Sequence, residues 1–199
     1  MKKIKKVLWV LAVAVMMCAI TPTAADAATK LTASGAVKKI NSQIAKAKSF
    51  NFVYYNGKIS SSKLVFKSGV NPKKKIQYNN WTKMGLTETY YYKNKMYWYN
   101  KADKKWYYQN VKKMPATKYN KISSKAKCAI VADKKFNGKK CTVLKVTRDD
   151  EVTLYYLNKS NNEWIGMESD GYLVTVNLKK EIKVPSKVLK AKKKTYKLG

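Results

Sequence analysis

Turn-forming residue pairs recur along this chain at close intervals, and the stretches between them are short, aromatic and β-branched. Asn56-Gly57, Asn71-Pro72, Lys93-Asn94, Asn137-Gly138, Asp149-Asp150, Asn161-Asn162 and Asp170-Gly171 mark the reversals. Asn, Asp and Gly tolerate the left-handed backbone that tight hairpin turns require. Short links throughout predict an antiparallel meander. The predicted strands are residues 50–55, 62–67, 75–81, 86–93, 96–100, 105–110, 140–148, 152–158, 163–169, 172–179 and 181–184. Pro72 and Pro115 fall in links, and Pro185 ends the last strand, where a missing N–H does no harm.

One segment ahead of the strands is helical. Between Thr32 and Lys48, Val37, Ile40, Ile44 and Ala47 recur at spacings that share one face, with Lys38, Lys39, Gln43 and Lys46 elsewhere. Thr32 or Ser34 can cap its start. The stripe is narrow, so the helix is expected to lie on the sheet. Residues 117–132 are open to two readings. Tyr119, Ile122, Ala126 and Ile130 have helical spacing, yet Cys128–Val131 can equally begin the hairpin arm that leads to Asn137-Gly138.

The N-terminus reads as a secretory signal. Lys2, Lys3, Lys5 and Lys6 precede an uncharged run, Val7–Ile20, that is too short to cross a hydrocarbon core of roughly 30 Å as a helix. Ala25 and Ala27 suit a signal peptidase. The expected organisation is a signal peptide over 1–27, cleaved after Ala27, a domain over 28–190 and a basic tail over 191–199. The mature chain is then secreted or extracytoplasmic, free or held at the wall or membrane.

Charge narrows the partners. With 43 basic and 11 acidic residues the chain carries +32. A surface this positive attracts anions over roughly 8 Å at physiological salt. Arg148 is the sole arginine, whereas nucleic-acid readers depend on the guanidinium fork, so nucleic acid is not expected as a partner. An anionic membrane surface or cell-wall polymer fits better. Lysines spread along polar faces also keep an exported protein soluble.

Catalytic chemistry is sparse. There is no histidine, which removes the commonest general base and metal ligand. Asp149-Asp150-Glu151 lacks the alternating carboxylates and glycine of a calcium loop. No Gly-rich phosphate loop, Gly-x-Ser-x-Gly or Cys-x-x-Cys occurs. Glu88 and Glu168, inside strands, are the carboxylates best placed for an acid–base pair. The expectation is a protein without enzymatic activity, metal or cofactor.

Cys128 and Cys141 remain after cleavage, and an oxidising compartment favours a disulfide worth roughly 3 kcal/mol. The bond requires the first hairpin strand to start after Cys128. If both cysteines lie on strands joined by a two-residue Asn137-Gly138 turn, they stand six residues out of register, about 20 Å apart.

Aromatic residues are the remaining signal. Leu64 with Phe66, Tyr90 with Tyr92, Met96 with Trp98, and Trp106 with Tyr108 alternate with further rings, so several strands carry large rings on both faces. A sheet with one wet side would alternate apolar and polar residues. Rings on both faces imply a second packed layer or a concave surface for an amphiphile. The candidate ligand-binding lining is Leu64, Phe66, Trp81, Tyr90, Tyr92, Met96, Trp98 and Trp106.

Several stretches together resemble the LolA-like group of bacterial lipoprotein and lipid carriers. They are the helix running through Ser49-Phe50 into the first strand, Lys95-Met96-Tyr97-Trp98-Tyr99-Asn100, the segment from Phe136 to Lys145 after its glycine turn, and the closing Ile182-Lys183-Val184-Pro185-Ser186-Lys187-Val188. The resemblance spans about Ala36 to Lys190. It implies an α+β fold, an antiparallel sheet curved into an incomplete β-barrel around one or two helices, with an apolar interior for acyl chains. It also implies a lipid or an acylated protein as partner. The chain departs from that group in its extreme charge and in having no lipobox cysteine. A cell-surface protein that binds anionic wall polymer through lysines and tyrosines is the alternative.

Overall fold

The computed structural model describes residues 31–81 and 88–195, and the described residues from Thr32 onward form one compact unit. The signal-peptide segment, its cleavage point and the first residues of the strand expected from Leu86 lie outside the described residues. Helix α1 (Ala33–Lys46) begins the unit. The Thr32 Oγ1 accepts from the Gly35 N–H at 3.1 Å, satisfying one of the unpaired donors of the first turn. Its buried stripe is Ala36, Ile40 and Ile44. Ala47 has already turned to an extended conformation, so it leaves the helical spacing that sequence assigned to it.

Twelve strands follow among the described residues: β1 (Phe50–Asn56), β2 (Leu64–Asn71), β3 (Ile76–Trp81), β4 (Thr89–Tyr92), β5 (Lys95–Asn100), β6 (Lys105–Asn110), β7 (Lys127–Phe136), β8 (Lys139–Arg148), β9 (Glu151–Asn158), β10 (Trp164–Ser169), β11 (Tyr172–Asn177) and β12 (Lys192–Lys193). They form one sheet in the order β12-β6-β5-β4-β3-β2-β1-β11-β10-β9-β8-β7. Pairing is antiparallel throughout, except that β12 lies parallel to β6. Two meanders are joined where β1 pairs with β11. The outer strands β12 and β7 do not pair, so the sheet is an incomplete barrel, as the pattern of turns and the resemblance led us to expect. The turns work as their residues suggest. Lys93 and Asn94, Asn137 and Gly138, Asp149 and Asp150, and Asp170 and Gly171 all have positive φ, the requirement of a type I′ turn.

Of the two readings open for residues 117–132, the structure takes the hairpin arm: residues 111–126 run irregularly into β7, which begins at Lys127. Other features differ from expectation. Residues 181–184 form no strand, because Ile182 is held by side chains instead of a ladder. Its N–H donates to Ser49 Oγ and its carbonyl accepts from Asn71 Nδ2, both at 3.0 Å. These residues belong to a strap that crosses the sheet, turns through the short helix α2 (Ser186–Leu189) and ends as β12. Lys192 and Lys193, expected in a basic tail, therefore pair with Tyr107 and Tyr108.

The expected disulfide also differs. Cys128 and Cys141 are free thiols. Strand β7 begins at Lys127, before Cys128, so Cys128 lies opposite Val146 while Cys141 lies opposite Lys134. Five residues separate Val146 from Cys141 along β8, so alternation puts the two thiols on opposite faces. Burial pushes both thiols above the ordinary cysteine range, although Lys139 and a backbone hydrogen bond oppose this at Cys141. In a chain starting at Ala28, a thiol reagent near neutral pH should modify the half-buried Cys128 slowly and the fully buried Cys141 only on unfolding. A count of reacted thiols against denaturant checks this. Absence of free thiol in denaturant would establish the disulfide instead.

Candidate functional site

Residues directly opposite in antiparallel strands point to the same face, which allows each face to be followed across the sheet. On one face, Tyr54 lies opposite Phe66 and Phe66 opposite Trp81. Further along, Gln77 faces Tyr91, Tyr91 faces Met96, and Trp98 faces Tyr107. The rings touch: Phe66 and Trp81 stack with centroids 4.0 Å apart, and Tyr54 meets Phe66 at 5.2 Å. Met96 and Trp98 are buried, whereas Phe66, Trp81 and Tyr91 are half-buried. On the same face, opposite Val70 and Tyr91, lies Gln77, whose Oε1 is a buried acceptor with no hydrogen-bond partner. An orphaned acceptor of this kind costs about 1–3 kcal/mol unless a ligand or water supplies a donor.

The same face continues through Phe52, Val176, Val174 and Met167 onto the β7–β11 half, and there it is filled. Tyr119 stacks on Phe50 at 5.3 Å and on Phe52 at 5.2 Å, and Trp164 meets Tyr119 at 5.6 Å. Burial pushes the Tyr119 phenol far up, with the neighbouring Tyr155 adding to it. Helix α1 is tied to the same region. Asn41 Nδ2 donates to the Ile122 carbonyl at 3.0 Å, and Gln43 Oε1 accepts from the Trp164 N–H at 2.9 Å. This is the inner face, the one the helix occupies. A cleft of about 340 Å³ opens beside Tyr119, Ile122, Val146 and Tyr155, and Lys118, Lys121, Arg148 and Glu151 also line it.

The outer face is organised differently. Tyr78, Tyr90, Tyr97 and Tyr108 form a row across β3–β6, each opposite the next. Together with Ile76 and Trp106 they pack beneath Ile182, Val184, Val188 and Ala191 of the strap. Burial, with the Glu88 charge second, pushes the Tyr90 phenol well up. On the other half, Phe136 stacks on Tyr156 at 4.4 Å and lies over Gly166.

The eight lining residues named from sequence therefore fall in two places. Phe66, Trp81, Met96 and Trp98 share the inner face. Tyr90, Tyr92 and Trp106 lie on the outer face under or beside the strap. Leu64 sits past a bulge and lies opposite Tyr55. Sequence reasoning left out Tyr54, Gln77, Tyr91 and Tyr107. The carboxylates Glu88 and Glu168 are not brought together: Glu168 accepts from Tyr156 at 2.8 Å on β10, and Glu88 accepts from Tyr90 at 3.2 Å beside β4. Strands β11, β1, β2 and β3 separate them.

No family model matches the sequence, and no curated protein matches it. Among solved structures, the chain is similar to lipoprotein LppX of Mycobacterium tuberculosis, at 7% identity and a TM-score of 0.46, covering 71% of this chain and 91% of that one. It is similar to a LolA superfamily protein of Nitrosomonas europaea at 11% identity and a TM-score of 0.33, covering 80% and 97%. An uncharacterised conserved protein of Thermus thermophilus matches at 6% identity and a TM-score of 0.43, covering 81% and 97%. The LolA-like group named from sequence thus recurs among the structural neighbours.

Proposed function

We propose that the mature chain is an exported binding protein without catalytic activity, which holds a lipid or the acyl group of an acylated partner against the inner aromatic face. The observation that carries this reading is the inner face that Phe66, Trp81, Tyr91, Met96 and Trp98 share with Gln77, whose buried Oε1 has no partner. Phe66, Trp81 and Tyr91, which are only half-buried, offer apolar area worth about 25 cal/mol per Å² when a hydrocarbon covers them. A hydroxyl or amide N–H near the head of the chain would satisfy the Gln77 acceptor, which favours an amphiphile over a plain hydrocarbon. Surrounding lysines would draw in an anionic headgroup.

Titration with a fluorescent fatty acid tests this. Wild-type protein should bind it, and Trp81→Ala with Trp98→Ala should weaken binding by about tenfold or more. Trp106→Ala, on the outer face, should lower stability and leave the affinity of the folded protein unchanged. Equal losses of affinity from the inner and outer substitutions would defeat the assignment.

A further inference from the structure

Following the strands end to end sorts the charges. The links that close β2 to β3, β4 to β5, β7 to β8 and β9 to β10, together with the exits from β6 and β11, all lie at the end where β1 begins. These are residues 71–75, 93–94, 137–138, 159–163, 111–113 and 178–181, with Lys134, Lys135, Lys139 and Lys140 on the strand ends that flank the 137–138 turn. Every link but that turn contains lysine, and the carboxylates in or beside them, Glu163, Glu181 and Asp133 of β7, are already paired: Glu163 with Lys179 at 2.9 Å, Glu181 with Lys74 at 2.7 Å, and Asp133 with Lys159. The described links at the other end, residues 57–63, 101–104, 149–150 and 170–171, offset their lysines with Asp103, Asp149, Asp150 and Asp170.

We infer that the lysine-bearing end of the barrel is a docking surface for an anionic lipid leaflet. Side chains on the turns of one sheet end form a rim that a broad charged layer can meet at many points at once. A single polymer strand needs a track along which to lie, and these lysines ring the barrel end. Lys135 and Lys140 are directly opposite each other at the hairpin tip, a like-charge pair that an anionic layer relieves. Ammonium groups suit this task, because attraction to a headgroup layer is non-directional and additive per lysine. Arg148, the one guanidinium, lies at the opposite end beside Asp149. The inference uses the exported location of the proposed function but needs no lipid on the inner face.

Co-sedimentation of the chain from Ala28 with vesicles tests it. In about 0.1 M salt, binding to vesicles containing phosphatidylglycerol should exceed binding to pure phosphatidylcholine vesicles by about tenfold or more. The variant K73Q/K112Q/K139Q/K180Q should lose about tenfold or more of that affinity. K58Q/K63Q/K101Q/K104Q, at the other end, should stay close to wild type. A thermal melt of each variant verifies folding. Equal losses from both variants would mean diffuse charge and overturn the inference. So would binding to a soluble phosphate polymer without binding to the anionic vesicles. Titration of the same variants with an uncharged monoacylglycerol keeps the outcomes separate, since charge loss at the rim leaves the inner aromatic face intact.

Discussion

Gly166→Ala should lower the unfolding free energy by about 1–3 kcal/mol, although it adds a single methyl group. A Cβ at this position would lie 2.1 Å from Phe136 Cε1 and 2.2 Å from Cζ. A flexible side chain would swing aside, but this ring cannot do so freely. Phe136 is only 3% exposed and stacks on Tyr156. The hairpin tip carrying it is pinned by the type I′ turn at Asn137-Gly138 and by the ion pair between Lys159 and Asp133. Denaturant unfolding of Gly166→Ala, Phe136→Ala and the double variant checks the argument. Phe136→Ala alone should cost about 3–5 kcal/mol, and the double variant should cost clearly less than the sum. Strict additivity would show that the ring and the glycine do not share the space.

Val188→Asp is expected to detach the strap. Val188 is fully buried among the outer aromatic residues, where an unpaired carboxylate costs several kcal/mol at about neutral pH. The sheet itself need not unfold to escape that cost. Strands β1–β11 keep their pairing, while α2 and β12 can leave together because β12 holds β6 through two residues. Trypsin should then cut at Lys187, Lys190 and Lys192 far faster than in wild type. An apolar dye should bind the uncovered Tyr90, Tyr97 and Trp106. Inner-face ligand affinity should change little. Simultaneous loss of β-sheet signal and ligand binding would mean that the strap is part of the global folding unit instead of a separable cover.

Strand order and turn positions were legible because turn chemistry is local. An Asn-Gly or Asp-Gly pair states where a chain reverses, and β5 to β6 and β8 to β9 follow the predicted bounds closely. Which rings of neighbouring strands share a face was not read, although the signal was present. The two-residue turn at Lys93-Asn94 pairs Tyr92 with Lys95, and therefore Tyr90 with Tyr97 and Tyr91 with Met96. Counting outward from that turn separates Tyr90 from Met96 and Trp98. The same count from the β5–β6 link pairs Trp106 with Tyr99 and Tyr107 with Trp98.

Other features had no local signal. Residues 181–184 of the strap alternate charged and apolar, as a strand would, but the partners of Ile182 are Ser49 and Asn71, remote in sequence. Tyr119 has helical spacing to its neighbours, yet it is fixed by stacking on Phe50 and Phe52 from a segment with no regular structure. In both cases tertiary contacts overrode the periodicity. The bulge between Val131 and Lys134 is similar in kind. It shifts the register of Cys128 by one residue from the count that the turn alone gives, and nothing in the sequence marks it.

Two surfaces share one frame: an aromatic inner face with an unsatisfied acceptor, and a rim of turn lysines at one end. The inner face is the central claim, and native mass spectrometry of the chain from Ala28 tests it most directly. After incubation with an excess of a mono- or diacyl lipid, the account predicts a discrete complex of one protein with bound lipid. That complex should weaken when Trp81 and Trp98 are replaced by alanine. A protein that keeps its bare mass under the same gentle conditions, folded and with excess lipid present, would contradict it.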